Sequence, residues 1–377
     1  MEKTKPIGLG LIGCGGFGTF CLEAFSTMPQ VRIAAVADVR KEVADLTARQ
    51  FNTRAFYKAQ DLFNQADVDL VHIATPPSTH HLLVIQAARH GKHCLCEKPL
   101  ALNISQADEM LSVTRQAGTI APVNFVLRYN PVTDMVKAVL ESGLLGKVLR
   151  AQMINCASDS KLPHSHWFWD KSESGGIFIE HGVHFFDLYR FWFSRGSVVW
   201  AGALTRDGQG MEDRVMCEVL HEGGAIASHY HGFDQPAELD RTTHRIICEL
   251  GEIVVDGWIP MSMRLAALLD ENGQNRLSAI APSAQVTTEQ EISATTAKVF
   301  SRGRERSYTR MTSLEYKIDA TKQTVYSNGV RSLLADQIAF LGDAAHPRRI
   351  NERNGLLALE LAQEADAFAS TPGAKAA

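Results

Sequence analysis

A glycine-rich turn near the N-terminus restricts the fold of this chain more than any other feature. The sequence Gly13-Cys-Gly15-Gly-Phe-Gly18 lies between an apolar run, residues 7–12, and a segment of helical spacing, residues 19–28. In a strand–turn–helix unit that binds a dinucleotide, the first glycine allows the sharp turn and the second lets the backbone approach the pyrophosphate. The third lets the helix pack close to the strand. Free N–H groups at the helix start attract the phosphates. The pattern therefore predicts dinucleotide binding.

The next apolar run supports the same interpretation. Residues 31–37 read as a second strand that ends at Asp38, about 20 residues after the last glycine, where an acid holds the adenosine ribose. Such a carboxylate repels a 2′-phosphate and favours NAD. Arg40 is two residues further on, and a cation there could pair with the 2′-phosphate of NADP. We therefore predict NAD as cofactor, with NADP as the alternative.

Composition and charge exclude several classes of protein. At 377 residues the chain is long enough for two domains. Its net charge of −4, without a polybasic run, argues against nucleic-acid binding. No stretch reaches the about 18 apolar residues of a membrane helix. The first strand begins near residue 7, which leaves no room for a signal peptide, and seven cysteines lack framework spacing. We expect a cytoplasmic protein with free thiols.

The order of the predicted elements changes along the chain. Strands and helices alternate up to about residue 123, including a last strand over 119–125, which predicts a doubly wound parallel sheet. Strands then follow one another, which predicts an α+β region with an open, largely antiparallel sheet. We place the domains at 1–123, 124–345 and 346–377, the last being a helical segment. The later elements are strands over 198–204, 214–220, 225–231 and 245–255 and helices over 176–193, 333–341 and 356–368; residues 270–330 predict no clear element.

Three polar motifs stand where they could act on a ligand. Thr75-Pro76-Pro77, with His80 after it, and Glu97-Lys98-Pro99 each follow a predicted strand. Ligands of doubly wound sheets bind at such strand ends, although a rigid turn and a solvated lysine are the alternatives. On the predicted helix 176–193, Glu180 and His184 are i,i+4 neighbours inside an apolar surround. Ionisable residues in such surroundings are typical of a catalytic site or of a polar network in the protein core. His181 and His184 lack metal-site spacing, so we predict no metal.

Together these motifs resemble the Gfo/Idh/MocA family of glucose–fructose oxidoreductases and inositol dehydrogenases. The resemblance covers residues 7 to about 190 and includes Arg128-Tyr-Asn-Pro131 as the start of the second domain. It implies a Rossmann domain and NAD(P)-dependent oxidation or reduction of a sugar, inositol or related polyol. It also implies that Lys98 and His184 are catalytic, with Glu180 as their partner, although the family usually has Asp there. The residues that we expect to contact the cofactor are Gly13, Gly15, Gly16, Phe17, Gly18, Asp38, Arg40, Thr75, Pro76, Pro77, His80, Glu97 and Lys98.

The roles in catalysis follow from the side-chain chemistry. His184 would take the hydroxyl proton, Lys98 would stabilise the alkoxide charge, and Glu180 would orient both. The alternatives are an NAD-dependent glycoside hydrolase, a reductase with tightly held NADP, and a dinucleotide-sensing protein without turnover. We expect a homodimer or homotetramer that associates through the C-terminal sheet near residues 225–231. Candidate substrate contacts are Arg128, His164, His166 and Trp167.

Overall fold

The N-terminal apolar runs form a five-stranded parallel sheet in the order β3-β2-β1-β4-β5. The inner strands are almost wholly buried, as expected for a parallel sheet with helices on both faces. The strand order reverses between the first and fourth strands, and ligands of such sheets bind at the carboxyl ends of the strands there. The doubly wound sheet predicted from the sequence is confirmed. The strands are β1 (Ile7–Ile12), β2 (Val31–Ala37), β3 (Arg54–Phe56), β4 (Leu70–Ile73) and β5 (His93–Cys96).

Five helices alternate with these strands, and one predicted strand is absent among the described residues of this region. Residues 119–125 run beside β5 and accept hydrogen bonds from the N–H groups of Cys94 and Cys96, but the pairing there amounts to one isolated parallel bridge, between Val123 and Cys96. Pro122 lies in this segment and has no N–H to donate, so a regular ladder beside β5 is not completed. The prediction of a full strand there is therefore wrong. The helices are α1 (Gly16–Ser26), α2 (Lys41–Gln50), α3 (Ala59–Phe63), α4 (His80–Arg89) and α5 (Ile104–Ala117).

The helical segments that follow differ from the prediction at one important place. Helix α6 (Pro131–Glu141) begins as expected, with Asn130 accepting a hydrogen bond from the N–H of Val132. The helix predicted over 176–193 is present as a continuous helix over 177–193, but its first part is π-helical. A short helix, α7 (Lys171–Ser174), is followed by two glycines with φ of +83° and +91°, by a π-helical turn (Phe178–Gly182), and then by α8 (Val183–Phe193). Helical spacing does not reveal a π-turn, because its extra residue changes the periodicity only locally.

The later strands form a nine-stranded sheet in the order β13-β16-β12-β11-β10-β6-β9-β8-β7. Every neighbouring pair is antiparallel except β6 and β9, so the predicted largely antiparallel sheet is confirmed. The strand predicted over 245–255 is two strands, because the chain turns back at residues 249–250. The strands are β6 (Val148–Ser158), β7 (Gly196–Thr205), β8 (Glu212–His221), β9 (Ile226–Gln235), β10 (Arg241–Cys248), β11 (Gly251–Asp256), β12 (Ser262–Leu269), β13 (Gln285–Glu291) and β16 (Arg310–Lys317), beside a separate hairpin of β14 (Ala297–Ser301) and β15 (Arg304–Tyr308).

The computed structural model describes residues 5–206, 211–291 and 297–371. Contacts divide the chain into two units. The first contains residues up to 126, 164–187 and 326–363, and the second contains residues 127–163, 188–325 and those from 364 onward. The predicted domain boundaries stay predictions, because a contact division does not test independent folding. The remaining helices are α9 (Glu271–Ile280), α10 (Lys322–Gly342) and α11 (Glu352–Ala369), and no helix among the described residues is long and apolar enough to cross a membrane.

The nine-stranded sheet buries one of its faces within the second unit. His229 on β9 and His244 on β10 are almost fully buried, and the ring of Tyr189 lies 4.6 Å from His229 and 5.7 Å from His244 between centroids. The opposite face carries exposed apolar side chains, including Leu220 and Ile226, which are paired in register across β8 and β9. The histidines of the run 225–231 thus belong to the core, and only the alternate residues reach the open face.

Candidate functional site

The glycine turn after β1 has the shape that a pyrophosphate requires. Gly13 has a φ of +93°, and a Cβ on it would lie 2.3 Å from the carbonyl oxygen of Ala74. A Cβ on Gly18 would lie 2.1 Å from the carbonyl oxygen of Gly13, so α1 packs directly on the turn. Within the described part of the chain, nothing lies within 4 Å of a Cβ built on Gly15 or Gly16. The start of α1 is therefore open to an anion, and the residues present fit a dinucleotide.

Asp38 is tied to this turn and to Arg40. Its Oδ2 accepts the N–H of Cys14 at 2.9 Å, and its Oδ1 accepts the backbone N–H and the Nε–H of Arg40 at 2.9 and 3.0 Å. Burial alone would raise the pKa of Asp38, but the hydrogen bonds from Arg40 and Cys14 outweigh it and lower the pKa. The carboxylate is therefore ionised and fixed beside the turn, while the Arg40 side chain is 60% exposed.

A buried histidine, His80, contacts the loop after β4. His80, the first residue of α4, is fully buried, and its ring nitrogens lie 2.8 Å from the carbonyl oxygen of Pro99 and 2.9 Å from that of Thr75. Burial lowers the pKa of His80, and the two carbonyl contacts act in the opposite direction. The structure thus places His80 between the two predicted ligand loops, where it supports them. In the loop itself, Thr75 and Pro76 are partly accessible and Pro77 is buried. Phe17, another predicted cofactor contact, has its ring centroid 5.9 Å from that of Tyr326.

Lys98 and Glu180 form a direct ion pair within the first unit. The Lys98 ammonium donates to the Glu180 carboxylate and, at 3.0 Å, to the backbone carbonyl oxygen of the same residue. The side chains of Lys98 and Glu180 are 19% and 9% exposed, so the pair is largely buried but keeps some access to solvent. The two motifs are 82 residues apart in sequence, and the fold brings them into contact as the resemblance implies.

The π-turn decides where these groups lie. Glu180 and His181 stand in the turn and His184 stands in the first turn of α8, so the predicted i,i+4 relation between Glu180 and His184 does not hold as in a regular α-helix. His184 is 6% exposed, and its ring centroid lies 6.4 Å from Phe125 and 6.3 Å from His181. Burial, followed by the charges of His184 and Lys98, lowers the pKa of His181 well below its usual value. His181 is therefore a neutral neighbour of the other three groups.

A buried polar network at Glu97 was not predicted from the sequence. Glu97 Oε1 accepts hydrogen bonds from Nε2 of His72 at 2.9 Å and from Nδ2 of Asn124 at 2.7 Å. Cys21, His72 and Glu97 also form the one group of potential metal ligands among the described residues. Burial, and then the charge of Glu97, raises the pKa of the Cys21 thiol well above its usual value. A polar residue inside an otherwise apolar strand, such as His72 in β4, is the sequence signal for this network.

The candidate substrate residues fall in both units. His164 is exposed, while His166 and Trp167 are partly buried and belong with Lys98 to the first unit. His166 Nδ1 accepts the N–H of Phe168 and so begins a short 3-10 helix. Arg128 belongs to the second unit, where its guanidinium lies 5.0 Å from the ring centroid of Phe191. Contacts of these four residues with a substrate stay predictions.

The site matches a known family in both sequence and architecture. Residues 7–125 match the model of the oxidoreductase family with an NAD-binding Rossmann fold, and residues 133–254 match the GFO/IDH/MocA C-terminal domain. The chain belongs to the Gfo/Idh/MocA family. The predicted resemblance, the Rossmann fold and the nicotinamide cofactor are thereby confirmed, and the chain is an NAD(P)-dependent oxidoreductase.

Curated relatives of the chain include inositol and sugar dehydrogenases. It is 28% identical to the myo-inositol 2-dehydrogenase of Thermotoga maritima over 258 residues, which cover 64% of this chain and 75% of the relative. It is also 28% identical to the levoglucosan dehydrogenase of Pseudarthrobacter phenanthrenivorans, over 59% of this chain and 67% of the relative. These identities establish common ancestry without fixing a substrate.

Solved structures of the family share the whole fold. A levoglucosan dehydrogenase in complex with NADH and levoglucosan has a TM-score of 0.76 at 20% identity, covering 97% of this chain and 98% of that structure. An oxidoreductase from Agrobacterium radiobacter with NAD+, L-tartaric acid and magnesium has a TM-score of 0.74 at 19% identity, covering 97% of both chains. At such identities the likeness concerns the fold alone.

Proposed function

We propose that this chain transfers hydride between a nicotinamide and a hydroxyl or carbonyl carbon of a sugar, an inositol or a related polyol. The names of its family relatives support this substrate class. The observation that carries the proposal is the Lys98–Glu180 pair, which stands in the same unit as the glycine turn. The bound cofactor supplies the hydride chemistry, and the protein supplies binding, orientation and proton transfer.

Lys98 is suited to bind the reacting oxygen. An ammonium has three N–H donors. Two point to the Glu180 carboxylate and carbonyl oxygen, which leaves a third for the substrate oxygen. The same two contacts hold the ammonium in place, so that it can stabilise negative charge that develops on that oxygen. Glu180 thereby acts as a positioning residue for Lys98.

His184 is the group that we assign to proton transfer. It lies in the first turn of α8, directly after the π-turn, and is 6% exposed, so its ring is largely shielded from solvent. Imidazole is the side chain whose ordinary pKa lies nearest neutrality, which suits a base that removes a hydroxyl proton and later returns it. The neutral His181 beside it adds no charge that would compete.

A substrate panel tests the proposal. Purified protein is mixed with sugars, inositols and sugar acids and with NAD+ or NADP+, and absorbance of the reduced cofactor is followed. Lys98→Ala and His184→Ala should each lower kcat by about 10²–10⁴-fold, a typical value for acid–base groups, with cofactor affinity nearly unchanged. Lys58→Ala and His90→Ala, at exposed positions, are the matched controls.

The same panel separates the alternatives. Glycoside cleavage without net cofactor reduction would identify an NAD-dependent glycoside hydrolase. Dinucleotide binding without turnover of any substrate, or full activity in both variants, would support a sensing protein and contradict the roles of Lys98 and His184.

A further inference from the structure

The His72–Glu97–Asn124 network lies outside the set of groups that we assign to hydride and proton transfer. His72 lies in β4 between Leu11 of β1 and Leu95 of β5 in register, and its side chain is fully buried. Asn124 is 1% exposed, and its backbone N–H donates at 2.8 Å to the carbonyl oxygen of Cys96, the last residue of β5. Both donate to the same oxygen of Glu97, and a buried polar network of this kind is expected to fix the orientation of its members.

The two oxygens of Glu97 have different surroundings. Oε1 receives both hydrogen bonds. No described residue donates to Oε2, and Oε2 is not among the fully buried atoms that lack a partner, so it retains access to the surface. Glu97 directly follows β5, at the edge of the sheet where ligands bind, and Lys98 is the next residue. The network therefore fixes Glu97 through Oε1 and leaves Oε2 available to a ligand.

The hydrogen bonds of His72 fix its chemical form. Nε2 faces a carboxylate and must carry the proton, whereas no described residue accepts from Nδ1. A metal on Nε2 would move the proton to Nδ1, where it would be buried without the acceptor that metal-bound histidines usually have. The protonated Cys21 thiol is also a poor ligand. The cluster is thus a set of hydrogen-bonded side chains in which His72 donates to Glu97.

We propose that His72 is a positioning residue for the cofactor: it holds Glu97 so that Oε2 accepts a hydrogen bond from a donor on the nicotinamide half of the dinucleotide. Asp38 and the glycine turn occupy the β1–β2 side of the reversal in strand order, which leaves β4 and β5 for the other half. A carboxylate oxygen only accepts hydrogen bonds, and ribose hydroxyls and the carboxamide N–H₂ are the donors available there. The proposal rests on Glu97 belonging to the cofactor site and is independent of the substrate.

Two amide variants of nearly equal chemistry test it. In His72→Gln the amide nitrogen can reach the place of Nε2, whereas in His72→Asn it reaches only the place of Nδ1. Affinity for NADH is measured by fluorescence titration, together with kcat and KM for NAD+ and the midpoint of thermal unfolding. We expect the Gln variant to bind NADH within about threefold of the unchanged protein and the Asn variant to bind about tenfold more weakly, with KM for NAD+ changing more than kcat.

Three results would overturn the proposal. Unchanged NADH affinity in a folded Asn variant would show that the hydrogen bond does not position the cofactor. Equal weakening in both variants, with equally lowered unfolding midpoints, would show that His72 only fills the core. One bound zinc ion per purified chain, lost in both variants, would show a metal site instead. NADH binding without polyol turnover would end the proposed function but leave this test intact.

Discussion

Replacement of Glu180 tests the ion pair that carries the proposed function. Glu180→Gln keeps the length of the side chain and an oxygen that accepts from Lys98, and removes the charge. Hydrogen bonds to charged groups contribute about 1.5–3 kcal/mol, and neutral ones contribute about 0.5–1.5 kcal/mol. Because Lys98 stays charged, its hydrogen bond to the amide oxygen remains charge-assisted. The loss should therefore not exceed about 1.2 kcal/mol, which corresponds to at most about a tenfold loss in kcat/KM if it is expressed wholly in the transition state. Because the carbonyl contact at 3.0 Å remains, the loss should stay below that of Lys98→Ala.

Glu180→Asp is the sharper variant because it restores the residue that is usual in the family. Removal of one methylene withdraws the carboxylate by about 1.5 Å. Lys98 cannot follow it freely, since the ammonium also donates to the carbonyl oxygen of residue 180, which the π-turn holds in place. We therefore expect Asp to lower kcat/KM by about tenfold as well, or to change the preferred alcohol, although its charge is intact.

The assay is steady-state kinetics on the best substrate of the panel, with NADH affinity measured separately. Glu42→Gln, an exposed carboxylate in the first turn of α2, is the matched control and should behave as the unchanged protein. Full activity in both Glu180 variants would refute the reasoning, because neither the charge nor the reach of the side chain would then matter. If only the affinity for NADH fell, the result would show that Glu180 acts on cofactor binding and not on the substrate.

The described contacts also bear on cofactor preference, acid stability and self-association. NAD+ should bind more tightly than NADP+ because the Asp38 carboxylate repels a 2′-phosphate. Arg40→Ala should increase the difference between the two affinities, because it removes the cation that partly neutralises the Asp38 charge. Calorimetric affinities that favour NADP+ by tenfold would contradict this prediction. Acid should destabilise the fold. Burial lowers the pKa of His244 to about 3, whereas a histidine in the unfolded chain has a pKa of about 6.5. As pH falls below about 6.5, only the unfolded chain therefore gains this proton. The cost from His244 is about 2 kcal/mol near pH 5, and equal unfolding midpoints at about pH 7.5 and pH 5 would disprove it. The open face of the nine-stranded sheet should form a homo-oligomer interface, so Ile226→Arg, whose side chain lies beside Leu220, should yield monomers in light scattering, and a monomeric unchanged protein would refute the interface.

Local signals determined the first part of the fold. Glycines that permit positive φ or close approach, apolar runs and a terminal acid describe the strand–turn–helix unit completely, because each acts on neighbours along the chain. The same holds for the Asn130 cap, which fixes the start of α6 from one side chain. Where a pattern depends on adjacent residues, the sequence was sufficient.

Small departures from periodicity were invisible in the sequence. The π-turn at Phe178–Gly182, the hairpin turn at residues 249–250 and the interrupted ladder at Pro122 each depend on only a few residues. Hydrophobic spacing averages over more residues than that. These are the places where predicted helices and strands had the right location and the wrong shape.

Contacts between distant residues were decided by the tertiary structure alone. The motifs around Lys98 and Glu180 were visible separately, but that the ammonium takes both the carboxylate and the carbonyl oxygen of one residue depends on how the π-turn packs. His72 gave a signal only as a polar residue in an apolar strand, and its partner Glu97 is 25 residues away. Side-chain hydrogen bonds have short range and strict direction. A sequence can therefore supply the groups, whereas the fold determines which of them meet.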